Sequence, residues 1–207
     1  MGECHGRMEW PERGVYFFFE PGEFHTVDPA AHRVTRVGTH ALTEKSRTTL
    51  WKRLSQHRGT ANPRGGNHRG SILRLLVGEA LINRDKATSL ESWGQKSSAP
   101  HQVRLAERPH EVAVSEYLGA MSLLFLPVAD NPGVESARGL IERNSIALLS
   151  GFGSPSPDPP SCAWLGQFSG RDRVRRSGLW NNRHVDENYD PDFLPLLIDQ
   201  IDRVSLA

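Results

Sequence analysis

Four side chains near the start of the sequence have the types and spacing that chemistry on a phosphate needs. Arg53 and His57 stand four residues apart in Leu50–His57 (Leu-Trp-Lys-Arg-Leu-Ser-Gln-His). On a helix that spacing stacks them on one side, beside the Leu50–Leu54 stripe. Tyr16 lies in the aromatic, β-branched run Gly14–Glu20, and Arg36 lies in the next such run. Strand alternation sends Val15, Phe17 and Phe19 to one face and Tyr16 and Phe18 to the other, while Val37 points away from Arg36 and Gly38. If the apolar faces share a core, Tyr16 and Arg36 share the opposite, exposed face of a hairpin. A guanidinium offers phosphate a fixed positive fork, and an imidazole moves protons near neutral pH. A carboxylate such as Glu142 can hold a hard cation. Hydrolysing a phosphodiester needs these services: a deprotonated water, stabilised phosphoryl oxygens and a neutralised leaving group.

The elements that would position them can be read in order. Gly14–Glu20 is a strand ending at the Pro21-Gly22 turn signal, and residues 33–41 form a second strand pairing with it. Thr48 or Thr49 caps a helix that stops near Gly59. Residues 62–70 form a loop, Ile72–Ile82 a short helix, and residues 86–102 a polar linker. Pro109 is placed at the first turn of another helix ending near Leu118. Met121–Val128 is a third strand, followed by an Asn131-Pro132-Gly133 turn. Ser136–Ser150 is an amphipathic helix, with Ile141, Ser145, Leu148 and Leu149 on one stripe. Residues 154–161 form an irregular loop and 193–204 a last helix. The pattern predicts an α+β fold: a small three-stranded antiparallel sheet flanked by helices, with a large insertion between the second and third strands. It reads as one domain over residues 1–207, with the insertion at about 59–120 and a C-terminal extension at about 183–207.

The motifs in this order resemble the GIY-YIG nuclease family, named for two short strand motifs of a hairpin. Gly14-Val15-Tyr16 matches the first motif, and Arg36-Val37-Gly38 occupies the second with arginine in place of its tyrosine. Leu50–His57 is similar to the family helix in which an arginine precedes a histidine or tyrosine by four residues. The segment 141–146 (Ile-Glu-Arg-Asn-Ser-Ile) resembles the helix bearing the metal-binding glutamate, Glu142 here. Leu179-Trp180-Asn181 resembles the closing asparagine segment of restriction-enzyme members, with Asn182 as the substitute. The resemblance implies a metal-dependent endonuclease hydrolysing phosphodiester bonds in nucleic acid, with double-stranded DNA the expected partner. It implies Mg²⁺ at Glu142, with Mn²⁺ as a substitute, since Mg²⁺ keeps several waters and needs few protein ligands. Tyr16 would take a proton from the attacking water, directly or through His57. Arg53 would grip the phosphate, and Arg36 and Asn181 would tune and orient. Arginine at position 36 cannot serve as a base, which favours a rival reading: a catalytically inactive nucleic-acid-binding or protein-interaction module on the same scaffold.

Composition bounds the rest. The chain has 207 residues, 37% hydrophobic and 24% charged, which suits a globular protein with a proper core. Its net charge of +1 conceals an asymmetry: residues 31–74 hold ten Lys and Arg against the single acid Glu44, whereas the tail from Arg183 holds six acids against two Arg. A basic first third is the footprint of a phosphate-binding face, although charge runs are more often solvated surface. Lys52, Arg58, His68 and Arg69 are the expected nucleic-acid contacts outside the catalytic set. Cys4 and Cys162 lie too far apart, without companions, for a zinc site. The run Met121–Ala129 is too short to span a bilayer, and the N-terminus lacks a signal-peptide pattern, so a cytoplasmic protein is expected. A homodimer is the arrangement a double-strand cutter with one site per chain would need.

Overall fold

A computed structural model describes residues 1–60, 65–86, 90–133 and 135–205. Three strands, β1 (Gly14–Phe24), β2 (His32–Gly38) and β3 (Ser122–Pro127), form an antiparallel sheet in the order β2-β1-β3. Helices α1 (Leu50–Arg58), α2 (Ile72–Asp85) and α3 (His101–Ala120) fall between β2 and β3. Helices α4 (Ala137–Leu149), α5 (Asp172–Ser177) and α6 (Phe193–Ser205) follow the last strand. Short 3₁₀ turns occupy His68–Gly70 and Leu165–Phe168. The α+β expectation, including the insertion between the second and third strands, matches this architecture.

Alternation along β1 separates two cores. Tyr16 and Phe18 pack with Leu50 and Leu54 of α1, Leu73 and Leu76 of α2, and Val114 and Leu118 of α3. Val15, Val37 and Leu126 face the other way, against Ile141 and Ile146 of α4, with Leu179 and Val185. Helices therefore cover both faces of the sheet, and the hairpin has no exposed face. Tyr16 is fully buried and Arg36 is 5% exposed, so they share a face as expected, but an interior one. The reason lies in the insertion: α2 and α3 bury their apolar stripes on the Tyr16 side and complete that core.

Several boundaries differ from the sequence reading: β2 stops at Gly38 rather than at 41, and α2 runs on to Asp85 rather than 82. β1 continues through Pro21-Gly22 to Phe24, with pairing interrupted between Phe19 and Phe24. Proline lacks an N–H and Gly22 takes φ 84°, so the pair makes an irregularity within the strand, and the chain reverses only at residues 25–31, where His25 N–H donates to Ala31 O at 2.8 Å. Helix α3 starts at His101, leaving Pro109 in its interior. Its buried Glu107 and Glu111 pair with Arg69 and Arg74, tertiary contacts that override the local proline signal. Among the described residues no helix is long and apolar enough to cross a membrane.

Candidate active site

The site grows from the outer edge of β2. Trp180 N–H donates to Thr35 O at 2.8 Å, and the Asn181 amide clasps Val37 at both ends, accepting from its N–H at 3.1 Å and donating to its carbonyl at 2.8 Å. An edge strand leaves backbone groups unpaired, and this segment satisfies them. The indole of Trp180 donates to the buried Glu20 carboxylate at 2.5 Å, and Trp164 donates to the same oxygen at 3.1 Å. Burial pushes the Glu20 carboxyl above its ordinary range, against the pull of these donors and of Tyr117. Segment 178–184 is thereby fixed beside β2. Arg36 adds to the lock, its Nη1 donating to Trp180 O at 2.5 Å while its buried Nε has no partner.

Behind this edge, the Tyr16 hydroxyl lies 2.7 Å from His57 Nε2, and His57 Nδ1 lies 2.7 Å from Ser71 Oγ. Ser71 also caps α2 by accepting from Arg74 N–H at 3.3 Å. His57 is wholly buried, and its imidazole is held well below the usual range, first by burial and then by the cations Arg36, Arg53 and Arg74. It is therefore neutral, with one ring nitrogen donating and the other accepting. The glycine of Arg36-Val37-Gly38 is required for a steric reason: the Tyr16 ring lies across it, and a Cβ there would stand 2.4 Å from the phenolic oxygen.

In front lies a cavity of about 420 Å³ lined by Arg36, Arg53, Glu142, Asn181, Arg183 and His184, among others. Arg53 extends from α1, touching Gln56 Oε1 at 3.1 Å. Glu142 reaches from α4 to the end of β2, where its Oε1 accepts from Thr39 N–H at 3.2 Å. Burial raises the Glu142 carboxyl above its ordinary value, opposed by Arg36, His184 and Arg53. A surface pairing of Glu142 with Arg138 does not form, because Arg138 is fully buried and bound to Asp130 and to His40 O. Glu135, at the start of α4, does not line the cavity. Among the described residues no cluster of three or more His, Cys, Asp or Glu could cage a metal. A single carboxylate beside an open cavity still fits a cation such as Mg²⁺ that keeps most of its waters, and Glu142 would be the residue to hold it.

In comparison with known families, the model described as GIY-YIG domain matches residues 1–207, in keeping with the three-stranded antiparallel sheet flanked by helices. The chain belongs to the GIY-YIG domain family. Comparison with curated proteins and with solved structures found no match. GIY-YIG domains are nuclease domains, so membership carries nucleic-acid hydrolysis as the general activity.

Set on this GIY-YIG scaffold, the expected residues divide into two groups. Arg36, Arg53, Glu142 and Asn181 meet at the cavity, while Tyr16 and His57 form a sealed pair that does not line it. Asn182 lines it as well, half-buried. The expected phosphate contacts fare differently. Lys52 is exposed, and Arg58 is half-buried with Nη2 donating to Gly2 O at 2.9 Å. His68 and Arg69 turn inward, contrary to expectation. His68 pairs with Glu111 at 2.9 Å and stacks on Trp93, and Arg69 makes a bidentate pair with Glu107 at 2.6 and 2.8 Å. Arg33 and Arg74 are likewise buried against Glu23 and Glu111. The basic run is thus partly neutralised by acids outside it, and its Arg64 lies outside the described residues. Two cavity residues, Arg183 and His184, were not expected. They sit where the family segment gives way to the supposed extension, and the polar run 181–184 (Asn-Asn-Arg-His) was the available signal.

Proposed function

We propose that this chain is an endonuclease that hydrolyses phosphodiester bonds in DNA with one divalent cation, Mg²⁺ or Mn²⁺, at Glu142. The observation that carries the reading is the cavity itself: three arginines and a histidine surround one carboxylate, which suits an anionic substrate accompanied by a cation. The cation, when bound, supplies Lewis-acid stabilisation of phosphoryl oxygen and leaving group. Arg53 and Arg183 bind the phosphate, with Lys52 and Arg58 on the flank, and Arg36 and Asn181 hold the cavity wall in place. Tyr16 accepts the proton of the attacking water and can pass it to the neutral His57, which Ser71 orients. Substrate binding has to bring water to the Tyr16 hydroxyl, which carries no exposure in the protein alone.

That burial also favours the second reading, a nucleic-acid-binding module without catalysis. Purified protein with plasmid and short duplexes, with and without Mg²⁺ or Mn²⁺, separates the two. Metal-dependent nicks with mappable ends are expected. The variant Glu142→Ala should retain binding and lose cleavage by at least about a hundredfold, the scale of one lost electrostatic stabiliser. Tight binding with no cleavage under any metal would leave the module reading.

A further inference from the structure

Resting on that reaction, in which the leaving alkoxide ends as an alcohol and so takes up a proton, the cavity holds one side chain suited to supply it. Of its lining residues, the arginines do not give up protons at neutral pH and Glu142 is assigned to the cation. His184 is the one imidazole on that wall. Its Nδ1 lies 2.8 Å from Glu187 Oε1, and Glu187 is itself held by Arg143 Nε at 2.5 Å. An ionised carboxylate only accepts, so Nδ1 carries its proton and Nε2 is left for the cavity. Partial burial works against the Glu187 charge, yet the hydrogen bonds from His184 and Arg143 bring its carboxyl below the usual range, so it stays ionised as the orienting partner. His184 takes φ 62°, in the left-handed region that histidine and asparagine adopt more readily than most non-glycine residues.

We propose that His184 is the catalytic acid of this site, oriented by Glu187, and donates its Nε2 proton to the nucleoside oxygen that leaves phosphorus. In this step the water oxygen forms a bond to phosphorus and the bond from phosphorus to the leaving oxygen breaks. The leaving oxygen takes the Nε2 proton, and the water's proton goes to the Tyr16–His57 pair. His184 regains its proton from solvent after product leaves. Charged groups from each packed element face it: Glu142 and Arg143 from α4, Arg36 from β2, Arg53 from α1, and Arg183 and Glu187 from its own segment. In the proposed reaction the Tyr16–His57 pair takes the water's proton, which leaves the donor role to His184.

The test compares two DNA duplexes cut by the full chain with Mg²⁺ at a mapped position. One has the natural linkage, and the other has sulfur replacing the leaving oxygen, since a thiolate departs without a proton. His184→Asn keeps a residue tolerant of positive φ while removing the acid. It should slow the natural substrate by about 10²–10⁴-fold, the range of general acid catalysis, and the sulfur substrate by less than about threefold. Glu187→Gln, which keeps the side-chain shape, should give the same pattern at smaller amplitude, and it serves if His184→Asn does not fold. Equal losses on both substrates would make His184 a phosphate contact or a structural residue and overturn the proposal, as would undiminished cleavage. A wild-type protein that cuts neither duplex would instead remove the nuclease reading on which the proposal stands.

Discussion

Gly38→Ala tests whether the hairpin exists to hold the Tyr16 ring against His57. An alanine Cβ would stand 2.4 Å from the Tyr16 Cζ and hydroxyl oxygen and 2.6 Å from Cε2. Comfortable non-bonded carbon contacts begin at about 3.5 Å, so the ring must retreat by about 1 Å. The ring is fully buried, against Phe18 and in one core with residues of α1, α2 and α3. Overpacking of this kind costs about 1–3 kcal/mol. Stretching the 2.7 Å contact to His57 leaves a buried polar group unpaired, at about 1–3 kcal/mol more. The sum, about 2–6 kcal/mol, is a large share of the roughly 5–15 kcal/mol that holds a typical domain together. Urea denaturation should show a lower midpoint with an unchanged slope, and cleavage should fall about a hundredfold, the consequence of misplacing a catalytic group by 1 Å. The decisive control is the pair with Tyr16→Leu, which removes the ring that the new methyl strikes. In that background Gly38→Ala should cost at least about 1 kcal/mol less, a coupling expected of touching residues. If Gly38→Ala costs the same with and without the ring, or costs under about 0.5 kcal/mol alone, the steric account of the motif is wrong.

Salt titration of DNA binding should separate the two kinds of arginine. Removing Arg53 or Arg183 should flatten the dependence of log affinity on log salt by about one unit each, whereas Arg69→Met should lower the thermal midpoint and leave the slope alone. An Arg69 variant that unfolds normally but loses salt dependence would restore the loop as a phosphate contact. Acid sensitivity is a further expectation. Burial, with help from Arg138, Arg13 and Arg53, lowers His40 from 6.5 to about 4. Its stabilising contribution is therefore complete above pH 6.5 and is lost as pH falls toward 4, because the unfolded chain takes up the proton first. At about 1.4 kcal/mol per pKa unit, His40 should account for about 2 kcal/mol of lost stability between pH 7 and 5. His57 pushes the same way. Unfolding measured over that window should flatten by about that amount in His40→Gln, and an identical slope would show that His40 is not buried neutral.

Much of the arrangement was legible beforehand because it rests on local periodicity. Alternation in Gly14–Glu20 separated Val15 and Phe17 from Tyr16 and Phe18, and set Val37 opposite Arg36, and those assignments match the two cores; an irregularity in β2 that local pattern did not signal puts Val34 on the same side as Val37. The cap of α1, where Thr49 Oγ1 accepts from Lys52 N–H, and that of α4, where Ser136 accepts from Gly139 N–H, are written in side chains next to the helices they start. The i, i+4 spacing put Arg53 and His57 on one side of α1, yet it could not say that one would line a cavity and the other be sealed.

That division depends on what packs against each position, which is set by residues far along the chain. Whether a face is exposed depends on the opposing layer, and α2 and α3, which begin at Ile72 and His101, bury the Tyr16 face that the strand pattern left open. Whether a basic residue is free depends on acids elsewhere: Arg69 and His68 read as loop cations until Glu107 and Glu111 of α3 fold over them. Arg183 and His184 join the site because Trp180 is anchored to Glu20, a contact 160 residues apart that no local pattern encodes. The sequence by itself determined the strands, the capped helices and the order of the reactive residues, since neighbours a few positions away dictate those. Only the tertiary structure decided which of them meet water, because burial and charge compensation are properties of surfaces brought together from opposite ends of the chain.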